Sequence, residues 1–170
     1  MAICAEVKIM PDWIAHILIG LILAELFRVK RKSLVVVGAI LPDILVKLEL
    51  LSVLIPVDKY AITWLFNPLH TPIGMILFTV LLLPLFAVPY LQTYYLLFIG
   101  WGSHLIADVV FNKHVLLSQN LLLFPFSWHG FEIGLVWPDE YYFVLLPLAI
   151  IYCIILIHKY YKSSLNKRRR

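Results

Sequence analysis

The chain has 170 residues, of which 62% are hydrophobic and 14% are charged, and its mean hydropathy is +0.92. Because soluble domains have about 45–50% apolar and about 25% charged residues, this composition excludes an ordinary soluble protein and indicates a single membrane domain. The formal net charge of +4 comes from basic clusters at residues 28–32 and 159–170, beside apolar segments. That pattern is typical of cytoplasmic anchoring at membrane lipids, so no nucleic-acid partner is expected.

The first predicted helix covers residues 13–27, with Asp12 as its cap. It contains His16 and Glu25, and Arg28 follows it. A signal peptide is the alternative, but the positive charge follows the apolar run and no small-residue cleavage site is present. We therefore expect a retained first span with its amino end outside the cell.

The second apolar segment, residues 33–56, is interrupted by Pro42-Asp43, so we expect a span that is broken there. Residues 57–70 form an aromatic loop, and Thr71-Pro72 caps a third helix that extends to about residue 88. After a tight turn at residues 89–93, a fourth helix ends near Phe111. A long aromatic loop over residues 112–138 then precedes a last span at 141–158, for which Asp139 is a candidate cap.

The predicted fold is therefore all-α, a polytopic membrane helical bundle of about five spans. Five crossings place both basic clusters on the cytoplasmic side, whereas four would separate them. We expect a multi-pass cell-membrane protein with its N-terminus outside and its C-terminus cytoplasmic. Residues 1–162 would form one transmembrane domain, and residues 163–170 a basic cytoplasmic tail.

His104 and Asp108 lie four residues apart in the fourth helix, so both side chains share one face. Between Lys59 and Asp108 the sequence has no Asp, Glu, Lys or Arg, and ionisable groups in such a setting usually face a bundle interior or a cavity. In the five-span topology, other spans also bring ionisable groups to the outer half of the bundle. The full candidate set is His16, Asp43, His70, His104 and Asp108.

Each of these residues also has a simpler explanation. His104 and Asp108 could form a hydrogen-bonded pair that fixes helix packing, and Asp43 could pair with Lys47 at i,i+4. His16 could be a packing residue, and His70 an exposed loop residue. His129 in the outer loop could reach the site or be exposed. The two cysteines, Cys4 and Cys153, show no disulfide or zinc-finger spacing, and Glu25 is expected to pair with the basic residues that follow it.

Imidazole and carboxylate groups suit zinc, manganese or iron(II). Such an ion lowers the pKa of bound water and polarises an ester or phosphoryl oxygen. The sequence has no G-x-S-x-G elbow, P-loop or HExxH motif. Ser103 beside His104 is not part of a triad, since adjacent helical residues point apart.

Four motifs occur in the order seen in the YdjM-like membrane-bound metal-dependent hydrolases, which are distantly similar to zinc-dependent phospholipases C. They are Gly38-Ala-Ile-Leu-Pro-Asp43, Pro68-Leu-His-Thr71, Gly100-Trp-Gly-Ser-His-Leu-Ile-Ala-Asp108 and Leu123-Phe-Pro-Phe-Ser-Trp128. His16 resembles the amino-terminal histidine of that family. The resemblance covers roughly residues 13–128 and implies that His16, Asp43, His70, His104 and Asp108 are metal ligands. The family commonly has a second Asp or a His after its LPD motif where this chain has Ile44, and this smaller ligand set speaks against two metal ions.

The first hypothesis is a hydrolase with one divalent metal, zinc before manganese or iron. His16, His70 and His104 bind the metal, Asp108 is a ligand or orients one, and Asp43 is a ligand or the general base. Asp43 and Asp108 are thus the candidate catalytic residues, and the substrate is an ester or phosphoester, with a lipid or another amphiphile suited to the site. The alternatives are a non-catalytic membrane protein that uses the same residues for packing, metal binding or assembly, and an oligomeric transporter.

Overall fold

In a computed structural model, residues 12–46, 67–113, 121–137 and 140–168 are described, and they form five α-helices and no β-strand. The all-α prediction is confirmed for these residues. The helices are α1 (Asp12–Leu26), α2 (Lys32–Val46), α3 (Pro72–Leu82), α4 (Tyr90–Phe111) and α5 (Tyr142–Arg168), with short 3-10 helices at Asn67–His70 and Leu83–Leu85.

The central contact of the fold is the crossing of α2 and α4; α1 packs against α2 and α5, and α3 packs against α4. Two glycines make the central crossing close. A Cβ atom on Gly100 would collide with the carbonyl oxygen of Val35, and one on Gly38 would collide with the carbonyl oxygen of Leu97. The backbones of α2 and α4 therefore touch directly, as small residues allow in helix pairs.

The ends of α1 and α3 follow from local sequence. Thr71 caps α3, as predicted: its side chain accepts a hydrogen bond from the Gly74 amide at 3.0 Å, and Pro72 occupies the first turn. The end of α1 is a Schellman turn in which Val29 N–H donates to Ala24 at 2.8 Å. Arg28, at φ 51°, takes the position that glycine usually occupies.

The break predicted at Pro42-Asp43 is wrong, because α2 continues through Pro42 to Val46. Proline removes one backbone hydrogen bond and crowds the preceding turn, which usually interrupts a helix. Here Pro42 is fully buried within a helix that packs on both α1 and α4, and this packing offsets the local cost. Residues 47–56, the rest of the predicted second span, lie outside the described residues.

Glu25 forms the main polar contact at the end of the bundle where α1 ends. Its carboxylate pairs with Lys32 at the start of α2 and with Lys159 of α5, the latter at 3.0 Å. The prediction that Glu25 pairs with basic residues is confirmed, and a lysine from each basic cluster takes part. This group (Glu25, Lys32 and Lys159) is called the charged end below.

Two of the described helices, α4 and the Tyr142–Leu165 part of α5, are long and apolar enough to cross a membrane. Trp13–Leu26 and Pro72–Leu85 are shorter apolar stretches. The outward side of α5 carries exposed isoleucines at 150, 154 and 157, and an apolar helix with so little cover is suited to lipid contact. The five-span topology and the orientation of the termini stay predictions.

Candidate metal centre

Four separate elements bring the five predicted residues together at the end of the bundle opposite the charged end. His16 lies in the second turn of α1, and Asp43 lies three residues before the end of α2. His70 ends the 3-10 helix before α3, and His104 and Asp108 lie in the last two turns of α4. This group is called the His/Asp cluster below.

Asp108 lies between two imidazole rings. Its Oδ1 is 3.2 Å from Nε2 of His16, and its Oδ2 is 3.1 Å from Nε2 of His104. The two rings are also close to each other, with centroids 4.0 Å apart. All three side chains are buried, so this half of the cluster is enclosed by protein.

Asp43 and His70 complete the cluster on its more open side. Asp43 Oδ1 is 3.7 Å from Nε2 of His70 and 3.9 Å from Nε2 of His104, and Asp43 Oδ2 is 3.9 Å from Nε2 of His16. His70 Nε2 lies 4.0 Å from Oδ2 of Asp108. The side chains of His70 and Asp43 are 21% and 15% exposed, so solvent reaches the cluster on their side.

The backbone of α2 sets the tautomer of His104. Nδ1 of His104 lies 2.8 Å from the carbonyl oxygen of Ala39, and because a carbonyl only accepts, Nδ1 must carry the proton and donate it. Nε2 then faces the two carboxylates and lies 3.1 Å from Oδ2 of Asp108. Either a cation between these atoms or a second proton on Nε2 would balance the carboxylate. The hydrogen-bonded pair that the sequence also allowed therefore stays an alternative to a metal site.

The separations fit a metal ion. Ligand atoms at 2.0–2.1 Å from a tetrahedral zinc lie about 3.3 Å apart, and the closest nitrogen–oxygen separations here are 3.1 and 3.2 Å. Two overlapping sets, His16/His104/Asp108 and Asp43/His70/His104, each offer ligand atoms within 4.8 Å of one another. The buried set could hold a metal ion with these donors alone.

Asn112 also belongs to the site, although the sequence interpretation did not identify it. Its Nδ2 donates to Oδ1 of Asp108 at 2.8 Å, which leaves Oδ2 to face His104. Outer partners of this kind orient metal-binding carboxylates. The available signal was its spacing, since Asn112 is one helical turn after Asp108, but an asparagine after a helix is common enough to have no specific meaning.

Trp101 and Thr71 hold the segment that carries His70. The indole N–H of Trp101 donates to the carbonyl of Leu69 at 3.1 Å, and the hydroxyl of Thr71 donates to the carbonyl of Pro68 at 2.6 Å. Trp101 and Leu69 are fully buried. The position of His70 is therefore fixed by α4 and by the cap of α3, and it is not a loop residue free in solvent.

The remaining predicted candidates do not join the cluster. His129 is exposed, and its backbone amide donates to the hydroxyl of Ser127. Glu25 lies at the charged end. Lys47, the proposed ion-pair partner of Asp43, and Asp139, the proposed cap of the last helix, lie outside the described residues.

Comparison with protein-family models, with curated proteins and with solved structures finds no match for this chain. The resemblance to the YdjM-like hydrolases stays a prediction from the motifs. What can be said of the site therefore comes from its own geometry.

Proposed function

We propose that the protein is a membrane-embedded, metal-dependent hydrolase that acts on an ester or phosphoester at the outer face of the cell membrane. The observation that supports this most is the close approach of buried imidazole and carboxylate groups, with Nε2 of His104 3.1 Å from Oδ2 of Asp108 and 3.9 Å from Oδ1 of Asp43. Two carboxylates in a buried site are costly without positive charge beside them. A bound cation removes that cost, and catalytic metal sites use such donors.

The ion would be held by Nε2 of His16 and His104 together with Asp108, and His70 would complete the site from its more open side. Nitrogen and carboxylate donors without thiolates favour zinc and also suit manganese or iron(II). When bound, such a metal supplies Lewis acidity toward water and toward the oxygen of an ester or phosphoester. Within the chain, Ala39 keeps the proton of His104 on Nδ1, and Asn112 keeps Asp108 turned toward the imidazoles.

Asp43 is the proposed general base. It is the more exposed of the two carboxylates, with 15% of its side chain exposed against 6% for Asp108. The Asp43 carboxylate is therefore the one that can take a proton from an attacking water on the side where the cluster opens. Asp108 is enclosed and already accepts from Asn112, so holding or orienting the ion suits it better.

The outer-face placement is supported by the positions of charge along the bundle. The charged end joins a lysine from each basic cluster, and the His/Asp cluster lies at the other end. The rule that cytoplasmic loops carry the positive charge favours a cytoplasmic position for both basic clusters. In that case the His/Asp cluster is on the outer side of the membrane. A lipid or another amphiphile would reach it there from the membrane interface.

One observation favours a second function, a non-catalytic membrane protein with a bound metal. His16 and His104 are 1% and 0% exposed, and only the side of Asp43 and His70 is open. Structural metal sites are closed in this way, whereas catalytic sites keep a position for substrate. In that case the ion would lock α1, α2 and α4 together for assembly with a partner.

Metal analysis of the detergent-purified protein tests the proposal. We expect about one divalent ion per chain, zinc before manganese or iron, and loss of this ion in both His104→Ala and Asp108→Ala. An esterase and phosphodiesterase screen should show activity that Asp43→Asn abolishes while the metal is retained.

Ser103→Ala is the matched control, because the Ser103 hydroxyl bonds to the carbonyl of Gly100 on its own helix. Folded protein without metal, in the presence of added zinc, would contradict both functions. Bound metal without activity on any substrate class would favour the second function.

A further inference from the structure

The segment of residues 121–137 has an unusual surface for a connection between helices. Seven of its large apolar side chains are exposed, and Phe126 is 92% exposed. The segment contains two tryptophans, Trp128 and Trp137, and its ionisable residues are only His129 and Glu132. A contiguous exposed apolar stretch of this kind marks an interaction surface. It is called the aromatic segment below.

Backbone hydrogen bonds fix the aromatic segment against the end of α4. The amides of Ile133, Leu135 and Val136 donate to the carbonyls of Val109, Val110 and Phe111 at 2.7, 3.0 and 3.0 Å. These bonds satisfy carbonyl groups that the end of a helix leaves open. The second half of the segment therefore lies at a defined height, level with the last turn of a candidate membrane span.

The aromatic segment also meets the beginning of α5. Val136 packs against the cluster formed by Ala15, Tyr141 and Val144, at the first turn of the second candidate span. From there the exposed isoleucines of α5 continue the apolar surface along the helix. The segment thus lies where both candidate spans reach one end of the bundle.

Tryptophan at this height is typical of the membrane–water interface. Lys113 supports this placement, because its ammonium lies 4.2 Å from the ring centre of Trp137 and so puts a cation beside the aromatic groups. Asn112 pairs with Val136 and also donates to Asp108. One residue therefore joins the aromatic segment to the His/Asp cluster.

We infer that the aromatic segment is an interfacial anchor whose exposed aromatic side chains enter the headgroup region of a lipid bilayer beside the His/Asp cluster. This inference rests on the membrane placement in the proposed function. It adds that the His/Asp cluster lies at the depth of the lipid headgroups, so an amphiphile with its ester or phosphoester at headgroup depth is the matching substrate class.

Spin labelling in lipid nanodiscs tests the anchor, in a chain whose native cysteines are replaced by Cys4→Ala and Cys153→Ala. One label is attached at Phe126→Cys and another, in a separate protein, at Trp128→Cys. Both positions are exposed, so the fold loses no core side chain. We expect both labels to collide more often with oxygen, which concentrates in lipid, than with a water-soluble nickel chelate.

Two reference labels separate the anchor from the membrane placement. Ile154→Cys on the exposed side of α5 should read as lipid, and Lys30→Cys in the turn after α1 should read as water. If the labels at 126 and 128 collide mainly with the nickel chelate, as the label at 30 does, while the label at 154 collides mainly with oxygen, the anchor is refuted and the membrane placement stands. If Ile154 also reads as water, both are refuted. Spin–spin broadening at 126 without oxygen access would assign the segment to a second copy of the chain and would also refute the anchor.

Discussion

The chemistry of the His/Asp cluster depends on how single side chains are oriented. The carbonyl of Ala39 holds the proton of His104 on Nδ1, and the amide of Asn112 holds one oxygen of Asp108. Each contact leaves the opposite atom, Nε2 or Oδ2, facing the interior of the cluster. In the proposed metal site, two outer hydrogen bonds would thus orient two ligands of one cation.

Replacing Asn112 tests this orientation. Asn112→Leu keeps the size of the side chain and removes the donor to Asp108, so the metal affinity should fall about 10- to 100-fold. Asn112→Gln, which keeps an amide donor, should recover part of the loss. The affinity is measured by competition with a coloured chelator.

The control for this prediction is Ser103→Ala, whose hydroxyl bonds within its own helix and should leave the metal affinity unchanged. Equal affinity for the native chain and for Asn112→Leu would show that Asp108 needs no such partner.

The helices contribute through the close crossing of α2 and α4. Ala39, whose carbonyl accepts from His104, follows Gly38 directly, and Gly100 is one turn before His104 in α4. The lack of side chains at both glycines allows the two backbones to approach until this hydrogen bond forms. The crossing therefore stabilises the fold and positions the site through the same contact.

Gly100→Ala should separate the two helices. The added methyl group meets the carbonyl oxygen of Val35, and overpacking of this kind typically costs about 1–3 kcal/mol. The hydrogen bond between His104 and Ala39 would lengthen, so metal binding should weaken as well. Both effects are measured together, by unfolding in mixed micelles and by metal titration.

Gly102→Ala is the matched control on the same helix. Its added methyl group would meet nothing closer than the sulfur of Met75 at 3.8 Å, and alanine is favoured over glycine inside a helix by roughly 0.5–1 kcal/mol. This variant should be as stable as the native chain or more so. Equal behaviour of the two variants would contradict a special role for the crossing.

In the whole molecule, polar contacts join the helices at both ends of an apolar bundle. At the charged end, Glu25 joins α1, α2 and α5. At the other end the His/Asp cluster joins α1, α2, the 3-10 helix and α4 through groups that include two carboxylates. Two carboxylates this close repel each other unless positive charge balances them, so the stability of the entire bundle should depend on the proposed metal ion.

Removing the metal should therefore lower the unfolding temperature of the native chain. An ion present at 100 times its dissociation constant stabilises a folded protein by about 2.7 kcal/mol. A chelator should remove this increment, and returning zinc should restore it, as followed by thermal unfolding in detergent.

His104→Ala should unfold at the same temperature with chelator and with zinc, while Ser103→Ala should respond like the native chain. If the native chain itself did not respond to either reagent, the cluster would serve only for packing.

Much of this protein follows from local patterns in its sequence. The hydropathy pattern determined that the fold is all-α. The cap at Thr71 determined where α3 begins. The i,i+4 spacing of His104 and Asp108 determined that these side chains share one face. Such features depend on neighbours along the chain, so a single sequence is enough to identify them.

Only the tertiary structure decided the rest. Pro42 remains inside a helix because α1 and α4 pack around it, and a helix propensity does not contain that packing. The same holds for the hydrogen bond from His104 to Ala39, whose partners are 65 residues apart, and for the pairing of Asn112 with Val136. These contacts join residues that become neighbours only when the helices pack, and the spacing of residues along the sequence does not show which helices pack together.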